Sequence, residues 1–505
     1  MLSIVKSMSL HGLEGVLIDV EVDISSGMPC WDIVGLPDTN IRESKERVRT
    51  AIKNCGIELL SRKYIINLSP ATIKKDGAIL DLAIAVGILK SMNVIHEIDL
   101  SNVIFIGELS LNGNLNRVNG ILPICIEAKK NGIKKIILPL QNAEEASIID
   151  GIDVIGIQNL KEVINYLNRA KSILPTKVDV SNILNKNRVD NIDFSEVKGQ
   201  EFVKRALEIA AAGGHNCLMI GAPGCGKTMM AKRMTTILPD LTFEEALEIT
   251  KIHSIAGLLN DKFLICTRPF RSPHHSITEK ALIGGGKIPK PGEISLSHLG
   301  ILFLDEFLEF NKKTIEILRI PIEDRKINIS RVGMNIMYPA NFMLIASMNP
   351  CPCGYYGSAI KECVCTEQQR SNYLSKISGP ILDRFDMHIQ VPTINCKNMN
   401  EVKAESSEQI RGRVNKARYI QQQRYKNDMI YFNADLSPKM IEKYCTLHKE
   451  ESDYLNSSVE KLKLSARAYS RILKVARTIA DLDNMPNIEK IHLLEAMQYR
   501  NLDKL

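Results

Sequence analysis

No apolar run in this chain reaches the roughly 18 residues that a membrane-spanning helix needs. The opening residues, Met1-Leu2-Ser3-Ile4-Val5-Lys6, lack the charged-then-apolar layout of a secretory signal. Internal repeats and low-complexity stretches are also missing. These absences exclude a membrane partner and lead us to expect a cytoplasmic protein. In a reduced cytosol its 12 cysteines are thiols or metal ligands rather than disulfides. Charge of one sign is scarce too. With 65 basic against 58 acidic side chains, the net charge of +7 permits an anionic partner without requiring one.

What is present is a globular composition, 45% apolar and 24% charged, over 505 residues, enough for about two to four domains. Residues 1–170 alternate short β-rich runs with helical ones. Strands are expected at 16–22, 64–68, 104–107 and 135–139, and an apolar helix at 81–92. A polar, Asn- and Lys-rich passage at 171–193 reads as a linker. Residues 194–393 carry several buried-strand patterns and read as a parallel-sheet domain. From 394 to 505 the pattern is helical.

The most informative stretch is Gly221-Ala222-Pro223-Gly224-Cys225-Gly226-Lys227-Thr228. It matches the phosphate-binding P-loop, G-x-x-x-x-G-K-[ST]. Gly221, Gly224 and Gly226 free the backbone N–H groups to face a polyphosphate. Lys227 can neutralise its charge, and the Thr228 hydroxyl can ligate Mg²⁺. The context agrees: Cys217–Ile220 reads as a buried strand before the loop and 228–237 as a helix after it.

Two later strands end in polar groups. Ile301-Leu302-Phe303-Leu304 runs into Asp305 and Glu306. The first acid suits a Mg²⁺ shell and the second an attacking water. Residues 342–347 form another apolar run, after which Asn349 is placed to hydrogen-bond a γ-phosphate or that water. Arg384 can stabilise charge on a transferring phosphoryl group, but taken alone it reads as a surface ion-pair partner. Cys351, Cys353, Cys363 and Cys365 gather four thiols within residues 351–365. They can hold a tetrahedral Zn²⁺, although the C-x-C spacing is tight; the alternative is four free thiols. The basic stretch Arg411, Arg413, Lys416, Arg418, Arg424 and Lys426 reads as a solvated helix face, and His274 and His275 as structural.

Together the blocks Arg268-Pro269-Phe270-Arg271-Ser272-Pro273-His274-His275, Gly284-Gly285-Gly286, Pro291-Gly292-Glu293-Ile294-Ser295-Leu296, Met348-Asn349-Pro350-Cys351-Pro352-Cys353-Gly354-Tyr355 and Leu464-Ser465-Ala466-Arg467-Ala468 resemble the YifB/ComM family of magnesium-chelatase-like AAA+ ATPases. The resemblance spans nearly the whole chain. It implies a multidomain α/β architecture: a Lon-protease-like α+β domain at 1–170, an AAA+ domain at 194–393 and a helical lid at 394–505. It implies ATP and Mg²⁺ as cofactors, with Lys227 and Thr228 in the Walker A element and Asp305 and Glu306 in Walker B. Asn349 falls at the sensor-1 position, Arg384 at the arginine-finger position and Arg467 at sensor 2. The resemblance further implies a homohexameric ring with shared sites.

Such a ring would act as a DNA motor, a helicase or branch-migration factor in recombination or natural transformation, on single-stranded or branched DNA. Two basic loops are candidate contacts. One is Lys326 and Arg331 in a hairpin turning near Gly333; the other is Lys287 and Lys290 in a glycine-rich insertion. Tyr338 is the one nearby aromatic for base stacking. An active Lon domain carries a Ser–Lys dyad. Here Asp76-Gly77-Ala78 runs into Ile79, and the later element reads Gly120-Ile121-Leu122-Pro123-Ile124, so no peptidase activity is expected.

Overall fold

The computed structural model describes residues 2–72, 75, 77–96, 98–179, 192–259, 262–286, 289–331, 334–358, 361–393, 404–428, 430–462 and 464–500. Its contacts divide into two units, residues 1–186 with 243–266 and 330–337, and the remainder. No helix among the described residues is long and apolar enough to cross a membrane.

The first unit is built on a seven-stranded sheet. Its strands are β1 (Leu2–His11), β2 (Glu14–Ser25), β3 (Cys30–Val34), β4 (Lys63–Ser69), β5 (Val103–Phe105), β6 (Lys135–Pro139) and β7 (Asp153–Ile157). The spatial order is β3-β4-β2-β1-β5-β6-β7. β1 and β2 form an antiparallel hairpin from Leu2↔Asp23 to His11↔Glu14, turned at Gly12, whose φ of 66° suits glycine. On β2, Val20, Val22 and Ile24 are buried, the period of two expected of a half-covered strand. Against this hairpin packs the helix α1 (Asp81–Ser91). Leu82, Ala83, Ile84, Ala85, Val86, Ile88 and Leu89 are all fully buried, so it is a core helix without a wet face. Gly87 permits that approach, because a Cβ there would lie 2.7 Å from Val22 Cγ2. The helix Phe243–Ala256, distant in sequence, completes this unit. Its Ser254 Oγ accepts from Gly120 N–H and donates to Glu145.

The second unit carries a five-stranded, wholly parallel sheet. Its strands are β8 (Cys217–Ile220), β9 (Phe270–Arg271), β10 (Ile301–Leu304), β11 (Met343–Met348) and β12 (Met387–Gln390), in the order β9-β10-β11-β8-β12. Every residue of β8, β10 and β11 is buried, which accounts for their unbroken apolar sequences. α2 (Lys227–Ile237) follows the P-loop, and the helices α3 (Ser407–Arg424), α4 (Ala466–Leu482) and α5 (Lys490–Gln498) form a helical C-terminal region. Lys326–Arg331 and Met334–Pro339 pair as a separate ribbon leading into β11.

Buried polar groups tie these layers together. Asn216 Oδ1 accepts from Leu344 N–H at 2.8 Å, and its own N–H reaches Asp386 Oδ2 at 3.2 Å. Arg471 of α4 and His215 flank the Asp386 carboxylate. Burial alone would raise the Asp386 carboxyl, but Arg471, His215 and Lys474 outweigh it and hold it well below the usual carboxylate range. The basic stretch starting on α3 is a solvated face only in part: Lys416 and Lys426 are exposed, but two arginines turn inward. Arg418 is buried with its guanidinium 3.6 Å from the Phe432 ring centroid, and Arg424 is paired with the buried Asp481. These arginines bind the helices to one another.

The depressed carboxyl sets a pH dependence. Its stabilisation is complete above the unfolded pKa of about 3.9 and is lost as pH falls from there toward the folded value. Asp386→Asn should cost about 3–5 kcal/mol at pH 7. Denaturant melts between pH 7 and pH 3 should show the wild-type advantage shrinking below about pH 4.

Candidate nucleotide site

Parallel register gathers the site. Leu304 pairs with Ala346 and Ile220 with Met348, so Asp305 leaves the sheet beside Ser347 of β11, and Gly221 leaves it beside Asn349, at one edge. Three strand ends and the N-terminus of α2 meet there, as ligand sites of open α/β sheets do.

The loop itself is shaped by glycine. Gly224 and Gly226 have φ of 77° and 90°. At Gly221 a Cβ would fall 2.5 Å from the Val391 carbonyl oxygen. Lys227 is buried, and its ammonium donates to Gly221 O at 2.7 Å, Ala222 O at 3.0 Å and Asn349 Oδ1 at 3.3 Å. The Thr228 hydroxyl donates to Asp305 Oδ2 at 2.6 Å, which sets two hard oxygen ligands side by side, as a shared Mg²⁺ requires. Ser347 donates to the other Asp305 oxygen and accepts from Glu306 N–H at 3.4 Å. Glu306 sits at φ 52°, a left-handed conformation costing roughly 1–2 kcal/mol; its side chain is exposed. The cavity these groups enclose is about 430 Å³ and is lined by the loop, Asp305, Glu306, Ser347 and Asn349.

Two participants escaped the sequence reading. Ser347 looked like part of an apolar run; a hydroxyl at the end of a buried strand was the available signal. His275 reads as structural in the sequence, yet its Nδ1 lies 4.0 Å from Glu306 Oε2. Only the sheet order, which sets β9 beside β10, shows that the chain after Arg271 passes the Walker B acids.

The remaining predicted residues lie elsewhere. Arg384 is buried, ion-paired with Glu323, and donates to Pro380 O at 2.9 Å. Arg467 is exposed and reaches Asp383 at 3.2 Å. Neither lines the phosphate cavity. They stand together with Arg319 and Arg471, and burial, aided by these like charges and opposed by Glu323, lowers the Arg384 guanidinium's pKa. Lys326 and Lys290 are exposed, the second in a strand pairing Lys290–Pro291 with Gly284–Gly285. Arg331 ends the first strand of the ribbon. Lys287, Gly333 and Asp76 lie outside the described residues. Tyr338 is fully buried with its hydroxyl on Pro289 O at 2.8 Å, so it is not available for stacking. Ile79 and Ile124 are buried apolar positions of the first unit. The sulfurs of Cys351, Cys353, Cys363 and Cys365 lie within 4.8 Å of one another.

A parallel sheet whose P-loop, paired acids and polar strand end converge on one cavity defines a P-loop nucleotide-binding protein. Three family models match the chain: "Magnesium chelatase, subunit ChlI" over residues 193–399, "Subunit ChlI of Mg-chelatase" over 20–142, and "Magnesium chelatase, subunit ChlI C-terminal" over 404–500. The chain is 40% identical over its full length to competence protein ComM of Haemophilus influenzae, of which it covers 98%. It is 42% identical, with the same coverage, to the uncharacterized protein YifB of Escherichia coli. A shorter similarity, 29% over 183 residues and 32% of each chain, is to Lon protease 2 of Bacillus subtilis. The chain belongs to the YifB/ComM family of magnesium-chelatase-like proteins, and its parallel-sheet and helical units fit the AAA+ architecture.

Ser347 should matter through Asp305. Ser347→Ala is expected to leave the fold intact and to raise the Mg²⁺ concentration for half-maximal Mg²⁺-dependent nucleotide binding by about ten-fold. A Mg²⁺ titration followed by a fluorescent nucleotide would read this; an unshifted curve would show that Asp305 needs no such support.

Proposed function

We propose that this protein hydrolyses ATP and works as a ring-forming DNA motor in the cytoplasm, a helicase or branch-migration factor in recombination or natural transformation. The observation that carries hydrolysis is the side-by-side placement of Thr228 and Asp305 with Glu306 and Asn349 on one cavity. Thr228 and Asp305 would hold Mg²⁺, and Lys227 with the loop amides would hold the phosphates. Mg²⁺ bound with ATP neutralises charge on the transferring phosphoryl group. Glu306 orients a water and takes its proton, and Asn349 fixes the water's position. A larger cavity of about 1620 Å³ adjoins Gly221 and Ala222 and offers apolar Phe202, Val391 and Leu494 to a base.

The cluster of Arg384, Arg467, Arg319 and Arg471, set apart from the chain's own phosphate cavity, supports completion of each site by a neighbouring copy in a homohexamer. For the DNA reading, the ribbon Lys326–Arg331 and Met334–Pro339 leads directly into β11, whose end carries Ser347. Its root is held by Arg325, which bonds Asp435 at 2.7 Å and Phe342 O at 2.9 Å. Movement at the strand end therefore has a short path to Lys326. The full-length similarity to a protein named for competence supports the same setting. We read the first unit as a Lon-like scaffold without peptidase activity.

ATP turnover measured with and without branched or single-stranded DNA tests the proposal. DNA should stimulate turnover at low salt, less so as salt rises. Glu306→Gln should bind ATP yet turn over about 10²–10⁴-fold more slowly. Lys326→Ala should keep basal turnover and weaken the DNA response. A rate indifferent to DNA at low salt would leave a chelatase-type motor acting on a protein partner, or a nucleotide-gated scaffold.

A further inference from the structure

The loop after Asn349 brings four cysteine sulfurs together from two C-x-C pairs. Cys351 Sγ lies 3.3 Å from Cys353 Sγ and 3.6 Å from Cys363 Sγ, Cys353 and Cys363 are 3.6 Å apart, and all four sulfurs fall within 4.8 Å. A disulfide needs about 2.05 Å, so these spacings are too long for one. A tetrahedral tetrathiolate with Zn–S of about 2.3 Å has S–S edges of about 3.8 Å, which the cluster approaches without rearrangement of the chain.

The surroundings suit thiolates. Tyr356 N–H donates to Cys351 Sγ at 3.4 Å, and backbone N–H groups of Tyr355 and Val364 bond Cys353. Four thiolates around a divalent ion leave two net negative charges. Lys361 of the loop and Arg370 of the helix that follows, stacked on the Tyr355 and Tyr356 rings at 5.1 and 4.3 Å, supply positive charge.

The cluster is also tied to the nucleotide site. Cys351 is buried two residues beyond Asn349. Gly354, at φ 83°, packs so closely that a Cβ would come 2.7 Å from Pro223 Cδ in the P-loop. The helix Glu367–Leu374 that follows carries Tyr373, whose hydroxyl accepts from Asn349 N–H.

We propose that Cys351, Cys353, Cys363 and Cys365 bind one zinc ion as a structural knuckle, and that this knuckle fixes Asn349 against the P-loop. Binding releases the thiol protons to solvent. The metal half stands on the cysteine geometry alone; the positioning half rests on the proposed ATP hydrolysis.

Full-length protein purified without a metal-affinity step should contain about one zinc per chain by elemental analysis. Exchange for cobalt should give the visible bands of a tetrahedral tetrathiolate. C363S/C365S should lose the ion while circular dichroism stays near wild type. Gly354→Ala should keep the zinc and slow ATP turnover about ten-fold or more, since a small displacement at a reacting centre has effects of that order. Zinc-free native protein with four thiols open to titration, or iron in place of zinc, would overturn the metal site. Zinc retained in Gly354→Ala with unchanged turnover would overturn the positioning role alone, and zinc in a protein that never hydrolyses ATP would leave the metal site standing.

Discussion

The structure depends on the parallel register of three buried strands. β8, β10 and β11 are locked so that Ile220 lies opposite Met348 and Leu304 opposite Ala346. Their interiors are apolar and dry, which makes the register hard to slip: a one-residue shift would turn every side chain to the other face. Polar residues gather at one edge of this core, with Ser347 still inside β11. Asp305, Ser347, Asn349 and the P-loop therefore meet because of how the apolar segments pair, and the Thr228–Asp305–Ser347 chain of hydrogen bonds closes the arrangement. At the opposite end Asn216, just before β8, bonds Leu344 of β11 and Asp386 just before β12.

Much of this was legible in the sequence where local pattern decides. The apolar tetrads at Cys217–Ile220 and Ile301–Leu304 are strands, and the groups that end them are the cavity's lining. The helix over 81–92 was expected from its apolar spacing and is found at Asp81–Ser91. What stayed hidden is whatever depends on residues far apart in the chain. His275 approaches Glu306 only through the neighbouring strand. Tyr338 has a stacking aromatic's chemistry, yet it is spent on packing under Pro289. Arg418 and Arg424 lie in a charge run, but Phe432 and Asp481 draw them inward. Residues 243–266, between P-loop helix and Walker B strand in sequence, pack with the N-terminal unit, which no local periodicity announces.

Among the described residues, the cavity is lined by Thr228, Asp305 and Lys227 but by no arginine. Arg384 is held by Glu323 instead, beside Arg319, Arg467 and Arg471, which pair with Glu316, Asp383 and Asp386. In the proposed ring, a triphosphate presented by a neighbour would give this cluster of guanidinium groups a further anionic partner. The same logic links the ends of β11. Its start receives the basic ribbon and its end presents Ser347 and leads to Asn349, so one strand joins the two places that the proposed DNA motor would couple.

Three strand ends compose a single candidate Mg²⁺–nucleotide site. Calorimetric titration of the slow-turnover Glu306→Gln chain with ATP, with and without Mg²⁺ and again with Thr228→Ala added, tests it most directly. The account predicts about one ATP per chain, bound more tightly with Mg²⁺, with that gain lost on removing Thr228. Binding that ignores both Mg²⁺ and Thr228, or no binding, would contradict it.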